Sequence, residues 1–499
     1  MADHTRLAAL TLLAAGLLLP GLLIGPSLDA AVFVQVASQI REGDVLYVDA
    51  WDHKPPGTVL ALLVFGSPLP FVDPWVVSWL VSVAATIGSG MAVAAVLEAA
   101  AVRSLPASLA GGAAVVLMAQ YLMALGGGLT EPIATVLLAL ALAIAVRART
   151  APRTVAVGAL LTASVLTSIP VVAGAAVVGS IVIRTARRRL AAAASMGLGG
   201  LVPVVGLAAW LAATDALGPG IDAVVSYAGA YRQSNEGMGR ALSMPVVSWT
   251  LLAFLFVIVP AIMGAIAAMR AGGERRQLVI ACVAWILFSI GLYIYQGRFF
   301  AHYAIPLAIP LGILAGLGLD HVTAQRQPRG RIARAGRLLP FLLALIISAT
   351  ASTVAGGMEW SALARQRERV DRVGDAIEGA SAPGDTIWVW GNVPQLYQAA
   401  HRAPATFYSY LYPLVSPGYT TPGMIAATLR DLTSHPPILI IDAGSSAPKA
   451  PGLPALLIPR PLVSDGRDLD LLDPLRAFVR ERYIELEVVD GWVIYLLDS

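Results

Sequence analysis

The sequence predicts a polytopic α-helical membrane protein of about eleven spans, N-terminus inside and C-terminus outside, that ends in a small extracytoplasmic α/β domain. Three observations predict it. Hydrophobic residues make up 57% of the 499, charged residues 13%, and mean hydropathy is +0.73; a soluble globular chain is about 45–50% apolar and about 25% charged. Apolar runs close to the roughly 20 residues that cross a bilayer recur through the first 357 positions. Basic residues between those runs alternate in density, as they do when one set of loops stays in the cytoplasm.

The runs place spans near 7–25, 74–99, 107–125, 131–147, 154–168, 170–184, 191–213, 246–269, 278–295, 303–320 and 338–357. The first follows a short basic start and lacks a small-residue cleavage site, so it reads as an uncleaved span. One set of loops holds 17 basic residues, from Arg6 and Arg103 to the Arg326–Arg337 group. The opposite set holds five: Arg41, Lys54, Arg232, Arg240 and Arg298. The positive-inside rule makes the first set cytoplasmic. Outside then lie 26–73, 126–130, 214–245 and the tail. Residues 1–357 form the membrane domain, with outer loop 26–73, and residues 358–499 the soluble one. The tail opens with a charged helical stretch, Glu359 to Ala380. Strand-like runs follow at Thr386–Trp390, Ile438–Ile441 and Trp492–Leu497, with helical stretches between them.

Several function classes fall away. A single cysteine, Cys282, permits no disulfide framework and no cysteine metal site. There is no Gly-rich phosphate loop, Walker motif or zinc-hydrolase spacing. Nucleic acid is not an expected partner, because the basic residues fall in short clusters between apolar runs. In the tail, Trp388, Trp390, Tyr397, Tyr408, Tyr410 and Tyr412 read as core packing, with a sugar-stacking surface as the alternative.

The first outer loop is richer in chemistry. Val32, Phe33, Val36, Ala37 and Ile40 recur at helical spacing, which predicts an amphipathic helix lying at the membrane surface. Asp29 stands at its start. Asp49, Asp52, His53 and Lys54 precede Pro55-Pro56, and Lys54 is one of only two lysines in the chain. Asp49 and Asp52 also fit ordinary loop positions. Tyr227, Tyr231 and Arg232 in the third outer loop fit either substrate binding or an aromatic belt.

Asp29, the helix after it, Gly43, Tyr47 and the Asp52-His53-Lys54-Pro55-Pro56 stretch resemble the first loop of polytopic GT-C glycosyltransferases, among them bacterial proteins similar to protein O-mannosyltransferases and aminoarabinose transferases (glycosyltransferase families 39 and 83). Thr130-Glu131-Pro132 resembles that family's second acidic motif. Arg298, His302 and Tyr303 with Pro306 and Pro310 resemble its late segment. One departure stands out: many relatives carry a second acid where this chain has Ala30.

The resemblance implies an integral membrane glycosyltransferase, inverting at the anomeric carbon. Its partners would be the lipid bilayer, a polyprenyl-phosphate sugar donor, and an extracytoplasmic glycan, lipid or protein acceptor. A bacterial plasma membrane is the expected location. Such a transfer needs a carboxylate at the attacking hydroxyl and donors for the departing phosphate. Asp29 is the expected base or orienting acid, with Glu131 its partner, either positioning the acceptor or helping to hold a divalent cation. His53, Lys54, Arg298, His302 and Tyr303 are the expected substrate-binding groups. Each has a plainer alternative: a dipole-favoured first turn for Asp29, a helix-start signal for Thr130-Glu131-Pro132, a packing role for His302, an interfacial anchor for Arg298. Two other classes also fit: a transporter or lipid-carrier flippase, and a catalytically silent envelope scaffold. Transporters tend to carry repeats and mid-span ionisable sites, whereas here the ionisable groups gather at span ends.

Overall fold

The computed structural model describes residues 3–147, 150–233, 245–296, 300–324, 331–444 and 470–498. In chain order the first helices are α1 (Asp3–Ile24), α2 (Leu28–Glu42), α3 (Gly57–Gly66), α4 (Pro74–Ala99), α5 (Ser104–Ala119), α6 (Tyr121–Ala124), α7 (Thr130–Ala145), α8 (Ala151–Val165), α9 (Val172–Thr185) and α10 (Arg189–Ala213). There follow α11 (Leu217–Ile221), α12 (Tyr227–Gln233), α13 (Pro245–Ala271), α14 (Gly273–Gln296), a 3₁₀ segment Ala301–Leu307, α15 (Ala308–Ala324) and α16 (Arg331–Ala380). A helix lies within each expected span. Among the described residues, five helical stretches are long and apolar enough to cross a membrane: Asp3–Ile24, Pro74–Ala99, Arg189–Ala213, Gly273–Gln296 and Ala301–Ala324. Shorter apolar helices include Gly57–Gly66, Ser104–Ala119, Thr130–Ala145 and Ala151–Val165. One of these, α3, was not expected: it folds part of the first outer loop into a largely apolar helix of ten residues.

The chain forms two compact units. The first comprises Met1–Leu23, Pro55–Ala209 and Glu236–Glu359; the second comprises Ile24–Lys54, Trp210–Asn235 and Trp360–Ser499.

The first unit is a helical bundle packed through small residues. A Cβ on Gly90 would meet Gly111 O at 2.9 Å, one on Gly264 would meet Leu314 O at 2.0 Å, and one on Gly318 would meet Pro260 O at 2.0 Å. Helices in lipid gain nothing from excluding water, so close backbone approach is what holds them. Alanines of α4, α5 and α7 fill the spaces between Leu138, Leu142, Ile309 and Ile313. Cys282 is buried in the same core, in α14. At the arginine-rich end, several expected topology markers also serve as fasteners. Arg6 is only 3% exposed; it donates to Ser108 Oγ at 3.0 Å and pairs with Glu98. Arg103 Nε (2.7 Å) and Arg275 Nη1 (3.1 Å) both hold the buried Asp320 carboxylate.

The second unit carries a five-stranded sheet in the order β2-β1-β3-β5-β4. Its strands are β1 (Thr386–Gly391), β2 (Ala403–Pro404), β3 (Leu439–Ala443), β4 (Tyr483–Val489) and β5 (Trp492–Leu497). β2, β1 and β3 run parallel, and β5 and β4 return antiparallel. The three expected strand runs became β1, β3 and β5. β1 and β3 are buried on both faces, as their unbroken apolar runs require. β2 is two residues long, and β4 is an exposed edge mixing Ile484, Leu486 and Val488 with glutamates, so neither gave a clear signal.

Candidate active site

α2 is buried over most of its length. Residues 30 to 37, Gln35 among them, are all buried, and so is Gln39. Gln35 and Gln39 thus line the interior, while Ser38 is half-buried and Arg41 exposed; Gln395 Nε2 donates to Pro26 O at 3.4 Å just ahead of the helix. Ser27 caps α2 by accepting from Ala30 N, and Gly43 closes it at φ 118°, a conformation suited to glycine. Asp29 sits in the first turn, exposed, where a carboxylate complements the helix dipole.

The next turn separates Asp49 from Asp52. Asp49 is exposed, and its Oδ2 accepts from Val45 N at 2.9 Å, a turn-forming bond. Asp52 is 1% exposed. Its Oδ1 accepts from Lys54 N at 3.1 Å and lies 3.6 Å from His53 Nδ1. Burial pushes its carboxyl up to about 7, with Asp29 adding to the rise and the Lys54 and His53 groups opposing it. Burial, then the Lys54 charge, holds the His53 imidazole well below its ordinary range, so it is neutral at pH 7. The desolvated acid of this loop is therefore Asp52 and not Asp29.

Tyr410 OH shares a 3.1 Å hydrogen bond with His53 Nδ1. Burial, and then the Asp52 charge, pushes the Tyr410 phenol well above its usual value. Trp51 stacks on His53 (5.8 Å between ring centres) and meets Tyr227 edge-on at 5.1 Å, with Tyr408, Tyr410 and Tyr419 on its other sides. Tyr227 is buried, so it is neither an exposed binding ring nor a belt residue. The Tyr231 and Arg232 side chains lie outside the described residues. Lys54 is held through its backbone: its carbonyl accepts from Tyr47 OH at 2.7 Å. Tyr47 adopts φ 66°, and its ring packs on Gly220, where a Cβ would meet Tyr47 Cδ2 at 2.8 Å. Sequence reasoning set Asp52 beside Asp49 and placed Tyr410 in a distant core; no local pattern announces a pairing 357 residues apart.

In the first unit, α7 starts at Thr130, so the helix-start reading of Thr130-Glu131-Pro132 is right about position. The cap residue is Leu129, however, and the Thr130 hydroxyl caps nothing. Glu131 is 1% exposed, and its Oε1 has no hydrogen-bond partner. α7 packs against the 3₁₀ segment that carries His302 and Tyr303. His302 is buried, stacked on Phe300 at 5.4 Å and edge-on to Tyr303 at 4.7 Å. Arg298 lies outside the described residues. No group of three or more His, Cys, Asp or Glu residues suited to a metal ion occurs among the described residues.

No family model matches this chain, and neither does any curated protein. Solved structures do, at low identity. The apo structure of ArnT from Cupriavidus metallidurans superposes with a TM-score of 0.58 at 14% identity, over 94% of this chain and 93% of that one. ArnT bound to undecaprenyl phosphate gives 0.55 at 14% identity, over 97% of each. The oligosaccharyltransferase AglB from Archaeoglobus fulgidus, in complex with an inhibitory peptide and a dolichol-phosphate, gives 0.52 at 11% identity, over 88% of this chain and 69% of that one. This chain shares the fold of these two proteins.

Proposed function

We propose that the protein is an integral membrane glycosyltransferase that moves a sugar from a polyprenyl-phosphate donor to an extracytoplasmic glycan, lipid or protein, with inversion. The observation that carries this reading is Glu131. An ionisable side chain buried in an apolar bundle with an unpartnered oxygen is costly and marks function by default, and it stands where the GT-C resemblance puts the second acidic motif. The neighbours support the donor class: ArnT was solved with undecaprenyl phosphate and AglB with a dolichol-phosphate.

In this reading Asp29 orients or deprotonates the attacking hydroxyl, and Glu131 positions the acceptor. Both are acceptor-only carboxylates, so either also fits a divalent cation, which would supply charge for the departing phosphate. Lys54 and Arg298 provide fixed charge for the lipid phosphate. His53, neutral, provides a hydrogen bond, as do His302 and Tyr303. The membrane carries eleven spans with the N-terminus in the cytoplasm, and the sheet-bearing domain works on the outer side of a bacterial plasma membrane.

The test is transfer from radiolabelled polyprenyl-phosphate sugars to a crude envelope acceptor by the purified protein in lipid. Loss of transfer in Asp29→Ala and Glu131→Ala is the expected result. Transfer that survives both substitutions overturns the site, and no transfer from any lipid-linked sugar overturns the activity.

A further inference from the structure

Backbone hydrogen bonds fix the segment of the second unit that carries Tyr410. Ala405 N donates to Ile387 O at 2.9 Å and Leu411 N to Gly391 O at 2.9 Å, so residues 405 to 411 are tied to both ends of β1. Between them, Trp51 N donates to Phe407 O at 3.3 Å and binds the first outer loop to the same segment. The sheet thus sets where Tyr410 stands relative to Asp52 and His53. Trp51 and Tyr227 hold the His53 ring, at 5.8 and 4.9 Å between ring centres. Asp52 is 1% exposed and Tyr410 3%, whereas the His53 side chain keeps 28%. His53 is therefore the member of the trio that an arriving molecule can touch. Burial raises the Asp52 carboxyl and the Tyr410 phenol most, and Asp29, exposed in the first turn of α2, adds to both, so the expected base stands close to the same cluster.

The protons can be placed. Burial keeps the phenol protonated and the imidazole neutral. Among the described residues, Tyr410 OH has one hydrogen-bond partner, His53 Nδ1 at 3.1 Å. Asp52 Oδ1 lies 3.6 Å from Nδ1, beyond hydrogen-bond reach. A neutral imidazole has one N–H and one acceptor nitrogen. If Nδ1 held the proton, the phenol oxygen would accept from it and the buried O–H would have no acceptor, which folded proteins rarely tolerate. With the phenol donating to Nδ1, both groups are satisfied and the His53 proton sits on Nε2. The hydrogen bond at one ring nitrogen decides which nitrogen is protonated.

We propose that Tyr410 is a positioning residue: its O–H fixes His53 in the tautomer protonated on Nε2, so that His53 offers an N–H donor to the phosphate oxygens of a polyprenyl-phosphate lipid. A phosphate that links a lipid to a sugar accepts hydrogen bonds and has none to donate, so the opposite tautomer would set a nitrogen lone pair against its charge. The inference rests on the transferase reading and gives the sheet-bearing domain a part in holding the donor, through one side chain that never touches it.

The experiment uses the full-length protein in nanodiscs, with isotope-labelled histidine, at pH 8, where a lipid phosphate is almost fully ionised. Solid-state NMR separates a protonated ring nitrogen from a bare one, and His53→Phe identifies the His53 signal by its loss. Wild type carries the His53 proton on Nε2. Tyr410→Phe, which keeps the ring and removes the O–H, moves a large share of that proton to Nδ1. It also weakens undecaprenyl phosphate by roughly three- to tenfold, the worth of one hydrogen bond, and leaves undecaprenol, which lacks the phosphate, unchanged. Added to His53→Phe, Tyr410→Phe costs nothing more, because the two side chains act as one unit. A wild-type proton on Nδ1, an unmoved tautomer in Tyr410→Phe, equal effects on the two lipids, or additive losses in the double variant overturns the role. Transfer by wild type alongside any of those results sinks the positioning role and leaves the transferase reading standing. A shifted tautomer and a selective binding loss, without transfer from any lipid-linked sugar, does the reverse.

Discussion

Two buried carboxylates in the first unit make a useful contrast. Asp320, at the arginine-rich end, is gripped by Arg103 and Arg275. Glu131, at the start of α7, has an oxygen that meets no donor. Both are almost fully buried, so desolvation weighs on each. The protein satisfies one and leaves the other incomplete. Asp320 therefore holds helix ends together, while Glu131 keeps one oxygen without a donor, the feature on which the transferase reading rests. Asp52, in the second unit, falls between them: buried and bonded, yet raised close to neutrality.

The contrast can be broken from either side. Asp320→Ala leaves two arginines beside a cavity and costs roughly 3–5 kcal/mol of stability, read as a lowered melting temperature in detergent; unchanged melting would contradict the fastener role. Glu131→Gln lowers transfer by about 100-fold or more, near 3 kcal/mol of barrier, while melting stays level or rises, because a buried carboxyl with an unpartnered oxygen is replaced by an amide of the same shape. A drop in both together would make Glu131 a structural acid like Asp320. Asp52 sets a smaller, pH-dependent effect. Its folded value near 7 exceeds its ordinary value of 3.8. The folded state therefore holds a proton the unfolded state has released, and stability falls as pH rises from about 4 to about 7. Asp52→Asn melts a few degrees above wild type at pH 8, and the gap closes toward pH 4; a pH-independent gap would refute the buried-acid assignment. Asp49→Ala, which removes one exposed turn bond, costs about 1 kcal/mol or less and leaves transfer unchanged.

Much of the fold was legible because apolar runs and arginine clusters are local signals. Each expected span contains a helix, and the three strongest strands lie where Val, Ile and Trp cluster. α3 was hidden because a largely apolar run of ten residues is too short to read as a span and sits within a loop rich in charge. The position of Glu131 was legible from Thr130-Glu131-Pro132, but its missing partner is a matter of packing. In the second unit Asp52 is the buried acid of the first outer loop, and no local pattern marks it: its neighbour His53 bonds to Tyr410 and Trp51 packs on Tyr227, both from distant parts of the chain. The helical periodicity of α2 identified the helix, yet two of its polar residues, Gln35 and Gln39, are packed inside.

The lone thiol has a practical consequence. Cys282 is 2% exposed within the packed interior of α14, out of reach of a polar maleimide in the folded protein. A cysteine introduced at an exposed position such as Asp29 or Asp49 would thus report alone, with no need to strip the native one first. The protein is its own silent background for mapping, residue by residue, which loops face each side of the bilayer and which positions a bound lipid-linked sugar shields.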